Sequence, residues 1–166
     1  MMNEERRASE PEILDAQVVE DTAAVIANSE FGDQWLLNEG GKLLETMDEA
    51  AQTAYPVITG TVLLLPTAGD AAEYDDPEKG QMAMKVLASL ETLGLTGFVQ
   101  EICVEDLENV TVTYQERLEV GLGDGSDLDY KFQYMTQAAA QLPTGERGVL
   151  DLSFASGSQA VFHPMR

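Results

Sequence analysis

The chain has 166 residues and an ordinary apolar share of 44%, enough for one domain with a substantial core. Nine basic against thirty acidic residues leave a net charge of -21, which repels phosphate backbones and anionic headgroups and argues against nucleic-acid binding and docking on a lipid surface. No apolar run approaches the roughly 18 residues a membrane span needs, and the single cysteine, Cys103, permits neither an internal disulfide nor a thiolate metal cluster.

The first ten residues, MMNEERRASE, lack the apolar core of a signal peptide. Residues 1–12 are expected to be a disordered or vestigial tail, and 13–166 one domain. Ile13 to Ile26 suits a long, bent strand anchored by Val18, Val19, Val25 and Ile26. A hairpin follows, with Gln34 to Leu37 and Lys42 to Leu44 joined by Asn38-Glu39-Gly40-Gly41, where glycine supplies a positive φ. Trp35 reads as core rather than as a ligand platform. Thr46 to Ala54 suggests a helical turn, and Pro56 to Gly60 leads into a strand at Thr61 to Leu65. After an acidic loop, Asp76 and Pro77 open a helix whose stripe is Ala83, Val86, Leu87, Leu90 and Leu93, closed by Gly94.

Phe98, Ile102 and Val104 mark the next strand, with Cys103 buried or half-buried within it. Val110, Val112 and Tyr114 alternate with threonines, and Leu118, Val120 and Leu122 repeat that period after Gln115-Glu116-Arg117. Asp127 is the expected N-cap of a helix whose apolar face is Leu128, Phe132, Met135, Ala139 and Leu142. Pro143 and Gly145 stop it, a strand runs from Gly148 to Phe154, and Gln159 to His163 forms a last one ended by Pro164. The fold class is α+β: a bent, mainly antiparallel sheet of eight or nine strands with two helices packed against it.

Catalytic chemistry finds no foothold in these residues. Starting a calcium loop at Asp124 puts Leu128 and Met135 where ligands are needed. Asp70, Glu73, Asp75 and Asp76 resemble a solvated acidic loop more than a cation site. His163 is the only histidine, and no serine stands in a nucleophile turn. No metal ligand, cofactor site or catalytic residue is assigned, and the chain reads as a non-enzyme. Asp151 looks out of place between Leu150 and Leu152. It is expected on the opposite face, hydrogen-bonded, solvent-facing or blunting an edge.

The order of these segments resembles the extracytoplasmic β domain of the bacterial cell-division family FtsQ/DivIB, over roughly residues 14 to 164. Val19 to Ala24 looks like the strand entering that domain. Gln34 to Leu44, with Gly41, looks like its hairpin. Tyr55-Pro56-Val57-Ile58-Thr59-Gly60 is similar to the family's "l-P-v-l-x-G", Leu122-Gly123 followed by Lys131 to its "l-G-x-x-x-l-x-x-K-l", and Gly148 to Leu152 to its closing "g-x-i-D-l".

The resemblance implies a non-enzymatic divisome scaffold acting in septum formation at the extracytoplasmic face of the membrane. It implies partners of the FtsB/DivIC and FtsL type, docked by strand addition on a C-terminal edge strand. On this chain that edge falls on Leu152, Ser153, Phe154, Ala155, Ser156 and Gly157, with Ala160, Val161 and Phe162 beyond, and Phe154 and Phe162 as aromatic contacts. The family's transmembrane helix and its polypeptide-transport-associated (POTRA) domain are expected to be absent, leaving a soluble, excised form. The alternative reading is a small-ligand or cell-wall polymer binding module, which needs a concave, aromatic-lined pocket.

Overall fold

The computed structural model describes residues 23–47, 55–143, 145–153 and 161–164. The nine strands are β1 (Ala23–Ser29), β2 (Gln34–Asn38), β3 (Leu43–Thr46), β4 (Val57–Leu63), β5 (Val99–Cys103), β6 (Val110–Tyr114), β7 (Leu118–Gly123), β8 (Gly148–Asp151) and β9 (Val161–Pro164). Helix α1 is Pro77–Thr92, α2 is Leu128–Gln141, and a short 3-10 turn spans Thr96–Phe98. All nine strands join one sheet in the order β3-β2-β1-β4-β5-β6-β7-β8-β9.

The expected α+β arrangement is present, with a mixed sheet. β1/β4, β4/β5 and β7/β8 are parallel, and the other five pairs antiparallel. Parallel neighbours need a crossover: α1 carries the chain from β4 to β5 and α2 from β7 to β8, while β1 is followed by the β2–β3 hairpin before β4. The helices touch each other, and Ser89 Oγ of α1 donates to Asp129 Oδ1 in the first turn of α2.

One register row crosses the whole sheet: Thr46, Trp35, Ala27, Ile58, Ile102, Val112, Val120, Leu150 and Phe162 are partners in turn. From Ala27 to Leu150 every member is buried, together with Val86, Leu87 and Leu90 of α1 and Phe132 and Met135 of α2. Burying each such side chain contributes roughly 1.5–3 kcal/mol relative to exposure. Trp35 packs on this core as expected, although its indole N–H meets no acceptor among the described residues. Cys103, half-buried, belongs to the alternate set of strand residues.

Hairpin β6–β7 and helix α2 follow the sequence reading closely. The hairpin turns through Gln115 and Glu116, both in the left-handed region at φ +56 and +60. Neighbours hold that costly geometry: Gln115 N–H donates to Phe98 O at 2.7 Å, and Glu116 N–H to Gln100 Oε1 at 2.8 Å. Arg117 then spreads its guanidinium over the carbonyls of Ala139 (3.0 Å), Glu146 (3.1 Å) and Pro143 (3.3 Å), placing a cation at the negative end of α2. Asp76 caps α1 as expected, accepting from the N–H groups of Glu78 (3.1 Å) and Lys79 (3.4 Å).

Several expectations shift. β4 begins at Val57 and ends at Leu63, because Val57, Ile58 and Thr59 pair with β5. Gly60 sits inside it at φ +95, where a Cβ would lie 2.3 Å from Glu105 N, so only glycine admits that passing backbone. Leu65 leaves the strand at φ +42 and is 75% exposed. Phe98 closes the 3-10 turn and is 52% exposed, so it does not anchor β5. Asp127 stands at the start of α2 at φ +55 and makes no side-chain cap, offering its carbonyl to Lys131 N–H at 2.9 Å. Residues 13–22, and 48–54 of the expected helical turn, lie outside the described residues.

Candidate functional site

The sequence places its docking residues after β8, and the geometry there is set by Asp151. Its Oδ1 accepts from Ser153 N–H at 2.9 Å, turning the chain out of β8 three residues earlier than the alternation suggested. Hydrogen bonds from Ser153 hold the Asp151 carboxyl below its ordinary range. β8 lies between β7 and β9, so Asp151 is hydrogen-bonded and does not blunt an edge.

Leu152 is buried in the core, and its N–H donates to Gly121 O at 2.8 Å. Ser153 is exposed, and its backbone passes so close to Gly123 that a Cβ there would be 2.7 Å from Ser153 O. Phe154, Ala155, Ser156, Gly157 and Ala160 lie outside the described residues. Val161 and Phe162 return in β9, opposite Asp151 and Leu150. Phe162 is half-buried, on the same side as Leu150. A Cβ on Gly148 would lie 2.7 Å from its ring and 2.5 Å from His163 O, so the bare backbone of Gly148 makes the seat for β9.

The direction of the β9 backbone follows from its neighbour. Gly148 N–H donates to Arg117 O at 3.1 Å and Leu152 N–H to Gly121 O, so the even-numbered residues of β8 face β7. Val149 and Asp151 therefore face β9 and share ladder bonds with His163 and Val161. The N–H and C=O of Phe162 point the other way, and no described strand pairs with that side.

Lys131, the lysine of the fourth motif, is 2% exposed and donates its Nζ to Leu122 O at 2.8 Å, pinning the end of β7 beneath α2. Among the described residues no group of three or more His, Cys, Asp or Glu side chains is arranged to hold a metal.

A cleft of about 560 Å³ opens on the far side of the molecule, between the β2–β3 turn, the 71–74 segment and α1. Leu64, Tyr74 and Met84 form its apolar walls, and Gly40, Gly41 and Gly80 leave it unfilled. Tyr74 packs its ring on Gly80, where a Cβ would meet it at 2.2 Å, and burial raises its hydroxyl to about 12. That hydroxyl donates to Met84 Sδ at 4.0 Å. Sequence reading missed this cleft. The small residues that create it lie in three separate segments, and only their doublet Gly40-Gly41 and the lone Gly80 inside a helix hinted at it.

The family model for the C-terminal region of the cell division protein FtsQ/DivIB matches residues 24–153, from the second residue of β1 to just past β8. No curated protein matches the chain. No helix among the described residues is long and apolar enough to cross a membrane. The order of motifs, the two crossover helices and the match over most of its length agree: the chain belongs to the FtsQ/DivIB family of bacterial cell division, a non-catalytic scaffold family, and contains its extracytoplasmic C-terminal domain.

Proposed function

We propose that this domain is a non-enzymatic docking module of the divisome that receives partners of the FtsB/DivIC and FtsL type by strand addition along β9, at the extracytoplasmic face of the septal membrane. The observation that supports this reading most is the outward-facing backbone of Phe162, on the last strand of a nine-stranded sheet. An incoming strand would pair there and continue along the 153–160 segment, with Phe154 as an aromatic contact. Phe162 contributes chiefly backbone, because its ring is half-buried over Gly148.

The test is binding of an immobilised FtsB/DivIC-type extracytoplasmic segment. Phe162→Pro removes the outward N–H while sparing the inward ladder residues Val161 and His163. It is expected to weaken binding tenfold or more, beyond the loss in Phe162→Leu, which keeps the N–H. Phe154→Asp and deletion of 152–162 should weaken it as well. Wild-type binding by the deletion or by Phe162→Pro would overturn the proposal.

A further inference from the structure

The cleft against α1 lies apart from β9 and is built for a different occupant. Its volume of about 560 Å³ lies within the roughly 300–1,000 Å³ typical of ligand pockets. Leu64, Tyr74 and Met84 offer an apolar lining, and methionine is a side chain that reshapes to fit what it meets. Glu73 is the one charged residue in the lining. In the flanking segments Asp70 and Glu78 are also exposed, while Asp75 is turned to Thr61 Oγ1 and Val62 N–H, Asp76 caps α1 and Glu39 meets Glu91. Lys42, Lys79 and Lys85 are the cations of the flanking segments, and Lys79 Nζ is turned to Gly60 O at 3.5 Å.

Acids therefore outnumber bases along the rim, in a chain with a net charge of -21. A phosphate-bearing or carboxylate-rich ligand would be repelled. A polysaccharide would want exposed aromatic faces to stack on, whereas Tyr74, the one aromatic residue lining the cleft, is spent against Gly80. The fit is to a molecule that pairs apolar bulk with positive charge.

We infer that this cleft is a second docking site, for a polypeptide segment that lays a large aliphatic side chain against Leu64, Tyr74 and Met84 and flanks it with lysine or arginine facing Glu73 and the neighbouring acids. The site is independent of β9, so occupancy of one does not require the other.

The test follows backbone amide resonances of the whole chain while a synthetic amidated tetrapeptide, two leucines between two lysines, is added. Resonances of Gly41, Gly80 and Glu73 should shift saturably, and the affinity should fall at least fivefold between low salt and 0.5 M salt, because mobile ions screen an exposed charge contact. Two control peptides, one with glutamate for lysine and one with serine for leucine, should leave those resonances in place. Glu73→Lys should weaken the response at least fivefold. Gln81→Trp, placing bulk at an exposed lining position, should remove it without altering the far side of the sheet.

The inference is overturned if the lysine peptide moves nothing, if the glutamate peptide moves the same resonances equally, or if Gln81→Trp leaves the response intact. Movement of the same resonances on raising protein concentration alone would assign the cleft to a second copy. Movement in Arg6→Glu/Arg7→Glu without peptide would assign it to the chain's own N-terminal segment. Either result also overturns it.

Discussion

The two ends of the sheet are finished differently. At the β3 end the chain covers its own edge: Leu43 N–H donates to Asp70 O and Leu43 O accepts from Gly69 N–H, both at 2.8 Å, and Lys42 bridges Ala71. At the β9 end the last residues are seated on β8 over a glycine, and their outward groups have no partner strand among the described residues. An unpaired edge is a hazard that folded proteins usually cover. The edge that a loop covers at Leu43 thus differs from the β9 edge, which is the one we propose for another polypeptide.

The contrast can be broken most severely at Gly148. Gly148→Val pushes a branched side chain into Phe162 and His163 O, and should destabilise the domain by about 1–3 kcal/mol, as overpacking does. Partner binding should fall with it, and hydrogen exchange at Val161 and His163 should accelerate more than at Val112. Equal acceleration everywhere would mean that β9 is no separate unit.

Gly69 probes the covered edge. It stands at φ +92 with open space around its Cβ position, so Gly69→Ala meets strain without a clash. The cost is about 1–2 kcal/mol, which for a chain of this size lowers Tm by roughly 2–8 °C. Exchange at Leu43 should rise while partner binding stays at the wild-type level, since the docking edge we propose is β9.

The smallest effect is electrostatic and lies on the covered side. Glu91, near the end of α1, is raised from 4.5 to about 7 by partial burial and by the Glu39 carboxyl of the β2–β3 turn. Between those values the folded chain keeps a proton that the unfolded chain has released. Stability therefore falls as pH rises from about 4.5 to about 7. Glu91→Gln should flatten the dependence of Tm on pH across that window and exceed the wild type above it. An unchanged slope would show that Glu39 and Glu91 do not meet in solution.

Regular stretches were legible because their signals are local. Val110 to Tyr114 and Leu118 to Leu122 alternate on either side of a three-residue turn, and Leu128 to Ala139 keeps one helical face, so strand, turn and helix could be placed from neighbours alone. β4 was misread because Gly60 answers to Glu105, forty-five residues away, and no local pattern announces a passing backbone. Phe98 looked like a strand anchor because an apolar residue ahead of Val99 fits the alternation, yet the 3-10 turn faces it outward. At the candidate site, the last strand and its proline stop could be read from the chain. Which of its amides face outward depends on the register with β8, and therefore on Gly148. The cleft is a property of three segments meeting and is written in none of them.

Pro164 ends β9 opposite Gly148, a residue whose backbone faces β7, so Pro164 turns outward as Phe162 does. Its nitrogen bears no hydrogen. A visiting strand can run alongside Phe162, but at the next outward position it finds a carbonyl and nothing to match its own acceptor. In the docking we propose, the proline would act as an end-stop that sets a guest's alignment from the last rung backwards.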